Sequence, residues 1–168
     1  MPEFDEWKEG SEEGELHEEY TNAELVGLYS VVVREGRLEY PSAAVMLLRG
    51  EEWGDYVLPI YIGQPEAEAI ARAVYNVATQ RPMTHDLIVS ILDALDVRVE
   101  KVTIDALLNN IYTATIVLTR EVDGRVRRYY IDARPSDSVA IAVRARAPIL
   151  INKRLRKYAV NESSLKKR

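Results

Sequence analysis

Mostly antiparallel strands and several helices within one domain are what this sequence predicts, on three observations. Three apolar, β-branched runs lie between Glu24 and Ile62 with only short turns between them. Two later runs, 111–119 and 125–131, flank Asp123-Gly124, the dipeptide that best closes a two-residue hairpin. Elsewhere apolar residues recur at helical spacing. The 168 residues suit a single domain. Its expected boundaries are an acidic, disordered tail over 1–20, a folded body over 21–155 and a basic tail over 156–168.

The first strand is expected over Glu24–Val33, ending at the Arg34-Glu35-Gly36 turn, and the second over Ser42–Leu48, between Pro41 and Arg49-Gly50. A third follows Gly54 over Tyr56–Ile62, and the short turns make the three an antiparallel meander. Pro59 lacks a ladder donor, which predicts an edge or a bulge there. Gln64–Thr79 places Ala67, Ile70, Ala71, Val74, Val77 and Ala78 on one helical face, with Pro65 in the first turn, where no N–H is needed. A second helix is expected from Thr84 as N-cap to Asp96, with Leu87, Ile91 and Leu95 forming one apolar face. Val97–Ile104 alternates like a strand and slips phase at Lys101, which predicts a bulge. After the hairpin, a helix over Ser136–Ala145 consists almost wholly of small and β-branched apolar residues between its ends and should be deeply packed. Pro148–Ile151 reads as a short buried strand.

Composition excludes several function classes. Cysteine is absent, which removes disulfides, thiolate catalysis and Cys-ligated zinc. No apolar run approaches the ~20 residues that span a bilayer. Met1–Tyr20 is acidic where a secretory signal would be basic and then apolar. A cytoplasmic protein with no membrane partner is expected. The net charge of -5 is unevenly spread: nine acids and one lysine in 1–20, seven bases and one acid in 152–168. The basic end could hold phosphates or form a solvated terminal helix.

Two helix starts carry nearly the same polar sequence, Arg81-Pro82-Met83-Thr84-His85-Asp86 and Asp132-Ala133-Arg134-Pro135-Ser136-Asp137. Each sets an arginine, a hydroxyl and a carboxylate where backbone N–H groups are unpaired and the helix dipole is positive. No Gly-x-Ser-x-Gly elbow and no glycine-rich phosphate loop is present, which sets aside triad hydrolysis and the usual nucleotide sites. The remaining acids, Glu66, Asp86, Asp132 and Asp137, could share a divalent cation such as Mg²⁺ or Mn²⁺ if the helices dock suitably. Asp86, Asp132, Asp137 and His85 are then the catalytic candidates, with His85 relaying a proton. Arg81 and Arg134, helped by Thr84 and Ser136, would hold phosphate. Glu66, Asp86 and Asp137 are also explained as first-turn residues, each stabilising its helix dipole by about 0.3–1 kcal/mol, and Asp132 and Arg134 as partners across a tight turn. Tyr112, Tyr129 and Tyr130 could stack on bases or serve as cross-strand partners.

Taken together, several blocks resemble one family in order and spacing. They are Leu58-Pro59-Ile60-Tyr61-Ile62-Gly63, Glu66-Ala67, Ala69-Ile70-Ala71, Arg81 to Leu87, Tyr112-Thr113-Ala114, Asp132 to Ala140, and Pro148-Ile149. Through them the stretch from about 24 to 155 is similar to the bifunctional nuclease (DNase/RNase) domain family. The resemblance implies an α+β domain, with a largely antiparallel, partly mixed β-sheet packed with three or four α-helices. It also implies frequent homodimers and, in some members, cleavage of both RNA and DNA. The positions matching the family's polar motifs are Glu66, Arg81, Thr84, His85, Asp86, Asp132, Arg134, Ser136 and Asp137. Tyr61, Ile111 and Ser138 depart from the common Trp, Phe and Ala, and remove no candidate group. Two other readings stand beside a nuclease: a non-catalytic module binding nucleic acid, a ribosome or a protein, and a purely structural role for the polar clusters with function at a dimer surface.

Overall fold

A computed structural model describes residues 19–35 and 38–165. The acidic N-terminal segment expected to be disordered lies outside the described residues up to position 18. The element order is β1 (Tyr20–Glu35), β2 (Leu38–Gly50), β3 (Tyr56–Ile62), α1 (Gln64–Val74), α2 (Thr84–Ala94), β4 (Arg98–Leu108), β5 (Ile111–Val122), β6 (Arg125–Ala133), α3 (Pro135–Ala145) and β7 (Ile149–Asn152). A 3₁₀ helix (Lys153–Tyr158), β8 (Val160–Asn161) and the one-turn α4 (Glu162–Leu165) follow. The fold is α+β, and the strands among the described residues form one mixed, mostly antiparallel sheet in the order β6-β5-β4-β7-β1-β2-β3-β8.

β1–β2–β3 is the expected meander and β4–β5–β6 a second one. The four residues of β7 join them, antiparallel to β1 and parallel to β4. Pro59 lies in β3 beyond the two-residue span of β8, where, among the described residues, the strand has only β2 as a neighbour. The phase slip at Lys101 is a register shift between Val99 and Lys101. A second shift, between Ile104 and Ala106, re-aims Asp105. Its carboxylate accepts hydrogen bonds from the hydroxyls of Thr103 and Thr115, at 2.7 Å each, and Tyr20, at 2.9 Å. Burial and this carboxylate raise the Tyr20 pKa, so its hydroxyl stays protonated.

The core lies between one sheet face and the helices. It contains Met46, Leu48, Leu58, Ile60, Val102, Ile104, Ile116, Ile149 and Ile151 from the sheet, with Ile70 of α1 and Val139–Ala142 of α3. Each large apolar side chain fully buried here contributes about 1.5–3 kcal/mol. α3 is buried over most of its length, as its composition predicts, and its small residues let α1 and α2 pack closely on either side.

Each of the three main helices stops in the same way. Asn76, Asp96 and Arg146 adopt left-handed backbone conformations. The following N–H, of Val77, Val97 or Ala147, then reaches back to the carbonyl of Arg72, Leu92 or Ala142, each at 2.9 Å. α1 therefore ends at Val74, short of the expected Thr79.

The segment expected as a basic tail is folded onto the sheet through residue 165. Leu155 is 2% exposed within the core, β8 pairs with β3, and the Glu162 carboxylate accepts from the Arg49 guanidinium. A boundary at 155 would cut through this packing. No helix among the described residues is long and apolar enough to cross a membrane.

Candidate functional site

Three helix N-termini supply one polar cluster. Glu66 lies in the first turn of α1, His85 and Asp86 in the first turn of α2, and Arg134 and Asp137 at the start of α3. His85 Nε2 lies 2.9 Å from Asp137 Oδ1. Arg134 donates through Nε to Asp137 Oδ2 at 2.7 Å, through Nη2 to Asp137 Oδ1 at 3.1 Å, and through Nη1 to Glu66 Oε1 at 3.1 Å. Residues 66, 85, 134 and 137, remote in the chain, are therefore one hydrogen-bonded unit.

Electrostatics fix the protonation pattern. Burial alone would raise the Asp137 pKa, but the hydrogen bonds and charges of Arg134 and His85 outweigh it and hold the carboxyl below its ordinary range. An ionised carboxylate only accepts, so His85 Nε2 carries a hydrogen, and when the ring holds one proton its lone pair sits on Nδ1. Among the described residues, Nδ1 has no hydrogen-bond partner. Arg134, held by Asp137 first and Glu66 second, has its pKa raised further. Three of its five N–H groups are engaged, and its side chain is 64% exposed, which leaves two donors facing outward.

Gly63 makes this packing possible. A Cβ at that position would stand 2.1 Å from Glu66 Oε2, so the Glu66 carboxylate lies directly over the glycine.

Asp86 belongs to a second, adjoining unit. Its Oδ2 accepts from the Met83 N–H at 2.9 Å and its Oδ1 from Arg144 Nε at 2.7 Å. The Arg144 bond, and then the backbone bond, lower its pKa. The other nitrogens of Arg144 donate to the carbonyls of Ala140 and Ala69, both at 2.9 Å, so this guanidinium, 8% exposed, pins α3 to α1 and α2. Arg144 was absent from the candidates. Its signal was its position, a cation near the end of an otherwise apolar buried helix.

The remaining candidates sit elsewhere. Thr84 is exposed and is the first residue of α2, whereas Met83 takes the N-cap because Asp86 reaches back to its N–H. Ser136 is 4% exposed and turned into the protein. Arg81 is exposed, and its guanidinium has no partner among the described residues. Asp132 pairs across the ladder with Thr115, while its neighbour Ile131 pairs with the core residue Ile116. Alternation therefore sends Asp132 to the sheet face away from the helices. Glu66, Asp86, Asp132 and Asp137 do not converge as the sequence expectation required. Among the described residues no group of three or more His, Asp or Glu side chains could hold a metal ion.

The profile of the bifunctional nuclease domain matches residues 46–163. An uncharacterized protein of Mycobacterium tuberculosis (strain CDC 1551 / Oshkosh) is 41% identical over 115 residues, 68% of this chain and 66% of that protein. Bifunctional nuclease 2 of Oryza sativa subsp. japonica is 30% identical over 115 residues, 68% of this chain and 35% of that one. Bifunctional nuclease 1 of Arabidopsis thaliana is 26% identical over 164 residues, 84% and 50% respectively. The chain thus spans less than two thirds of the mycobacterial relative and half or less of the plant ones. Glu66, His85, Arg134 and Asp137 all fall inside the matched stretch, and the chain belongs to the bifunctional nuclease domain family.

Proposed function

We propose that this chain hydrolyses phosphodiester bonds in RNA and DNA, with His85 as the proton-transfer group. The observation that carries the reading is the His85–Asp137–Arg134 unit: an imidazole oriented by an ionised carboxylate, beside a guanidinium with two free donors. His85 Nδ1 accepts a proton as the oxygen of a water molecule bonds to phosphorus. The bond from phosphorus to the leaving ribose or deoxyribose oxygen breaks, and the imidazolium returns the proton to that oxygen. Water as nucleophile serves both nucleic acids, since DNA lacks the 2′-hydroxyl. Asp137 stays ionised and stabilises the imidazolium, while Arg134 faces the charge developing on the phosphoryl oxygens.

A resident divalent cation does not fit the donors as they are arranged. Glu66 and Asp137 already share Arg134, Asp86 is held by Arg144, and Asp132 lies on the other sheet face. No step is therefore routed through a metal. The test is cleavage of supercoiled plasmid and of end-labelled RNA, with and without EDTA. Cleavage that survives EDTA and falls about 10²- to 10⁴-fold in His85→Ala supports the reading. EDTA-sensitive cleavage would return the carboxylates to a ligand role. Binding without any cleavage by the unaltered protein would leave an anion-holding module, the second reading.

A homodimer is proposed as the assembled form. Its support is the exposed stripe of Leu87, Ile91 and Leu95 on α2, at 52%, 50% and 55% exposure, with uncharged Ser90 and Ala94 beside it.

A further inference from the structure

We propose that a single strand of RNA or DNA is laid along β6, on the face that carries Arg125, Arg127 and Tyr129, and is led by that strand into the His85–Asp137–Arg134 cluster. The inference rests on the nuclease reading and adds where the substrate runs. β6 is the outer strand of its edge of the sheet, and its residues 125–132 are all exposed. Arg125, Arg127 and Tyr129 share a face with Ile131, which pairs with the core residue Ile116, so they lie on the same side of the sheet as the helix cluster. The strand ends at Ala133, immediately before Arg134. From Arg127 to Arg134 is seven residues, about 23 Å of strand, enough for roughly seven stacked nucleotides or fewer extended ones.

Charge gives the independent argument. Arg120 of β5 stands directly opposite Arg127 in the ladder, and like charges so placed cost stability. Arg125 lies two residues along on the same face, and none of the three has an ion-pair partner among the described residues. Arg128 points to the other face and is paired with Glu100. Asp93, Asp96 and Glu121 line a hollow with Arg98 and Arg120 at the hairpin end, away from Arg134. Three guanidiniums with no ion pair among the described residues, beside an exposed tyrosine, suit a polyanion with unpaired bases: phosphates meet the arginines and a base stacks on Tyr129.

The experiment measures anisotropy of a fluorescein-labelled single-stranded oligonucleotide over a salt series, in a His85→Ala background so that it is not cut. Arg125→Ala and Arg127→Ala should each lower the slope of log affinity against log salt by about 0.7, and the Lys versions should restore it. Tyr129→Leu should weaken single-strand binding roughly tenfold or more and duplex binding much less. Thermal melts confirm that each variant is folded. Unchanged slopes in folded Ala variants overturn the track even if the unaltered protein cuts nucleic acid. Binding with the expected slopes but no cutting by the unaltered protein upholds the track and overturns the nuclease reading instead. Equal losses for duplex and single strand would also overturn it.

Discussion

Arg144 and Asp86, 58 positions apart, meet through a 2.7 Å hydrogen bond that ties the last turn of α3 to the first turn of α2. The guanidinium also holds a carbonyl of α1, so one side chain sets the spacing of the helices whose N-termini form the cluster.

Truncating that side chain should be costly. Arg144→Met leaves Asp86 without its cation and takes the side-chain donor from two helical carbonyls, and should lower unfolding free energy by about 2–4 kcal/mol. Urea titration measures it. A loss below about 1 kcal/mol would mean that the helices hold their spacing without this tie.

Acid should loosen the fold. Asp86 and Asp137 have folded pKa values below their unfolded ones, so the unfolded chain binds more protons near the ordinary carboxyl pKa of about 3.9. Their stabilisation is complete above that value and is lost as pH falls through it toward the folded pKa. Melting temperature should therefore drop between about pH 5 and pH 3, and more shallowly in Asp86→Asn. Identical profiles for the two proteins would contradict the assignment.

Gly63→Ala separates position from chemistry. Its φ of -70° suits alanine, but the new methyl group must push the Glu66 carboxylate away from Arg134. Since only the end of a flexible side chain moves, stability should change by less than about 1 kcal/mol. Cleavage should fall as far as it does in Glu66→Gln, which keeps the glycine and removes the charge. Wild-type activity in Gly63→Ala together with loss in Glu66→Gln would show that the observed contact is not the one that matters.

Arg134→Lys should behave as a loss rather than a conservative change. An ammonium cannot span both oxygens of Asp137 and one of Glu66 in the forked geometry observed. Cleavage should fall about tenfold or more, with the pH optimum displaced because Asp137 loses the contact that keeps it ionised. A pH–rate profile superimposable on that of the unaltered protein would count against Arg134 as its partner.

Ile91→Glu places a charge in the middle of the exposed α2 stripe. Sedimentation should shift from dimer to monomer while the melt changes little, since Ile91 is half exposed in the single chain. A monomer in both proteins would remove the dimer proposal.

Strand alternation, the Asp123-Gly124 hairpin and the slip at Lys101 were legible because each depends on neighbours in sequence. The stop of α1 was not: Asn76 takes the left-handed turn that glycine usually marks, so α1 looked longer than it is. Which apolar face of α2 the chain covers was not legible for a related reason. Leu87, Ile91 and Leu95 have helical spacing but stand exposed, while Ile88 and Val89 meet the core, and periodicity alone does not say which of two apolar faces the chain covers. In the site, the junction of Glu66, His85, Arg134 and Asp137 depends on three helices docking, which no local pattern encodes. The face that Asp132 takes was legible, because it alternates with Ile131 and Ala133 and so cannot share theirs. Arg144 could have been noticed as the cation inside an apolar helix.

The placement of β7 has a consequence for how the molecule comes into being. Residues 20–62 and 98–133 can each zip into a meander as soon as they are made, yet nothing in either ladder holds one to the other until Ile149–Asn152 slides between them. A nascent chain halted between residues 133 and 149 carries two unstitched ribbons with raw inner edges, β1 and β4. Assembly of the sheet is thus deferred until residues 149–152 have been made, and its slowest event should be the insertion of this four-residue wedge.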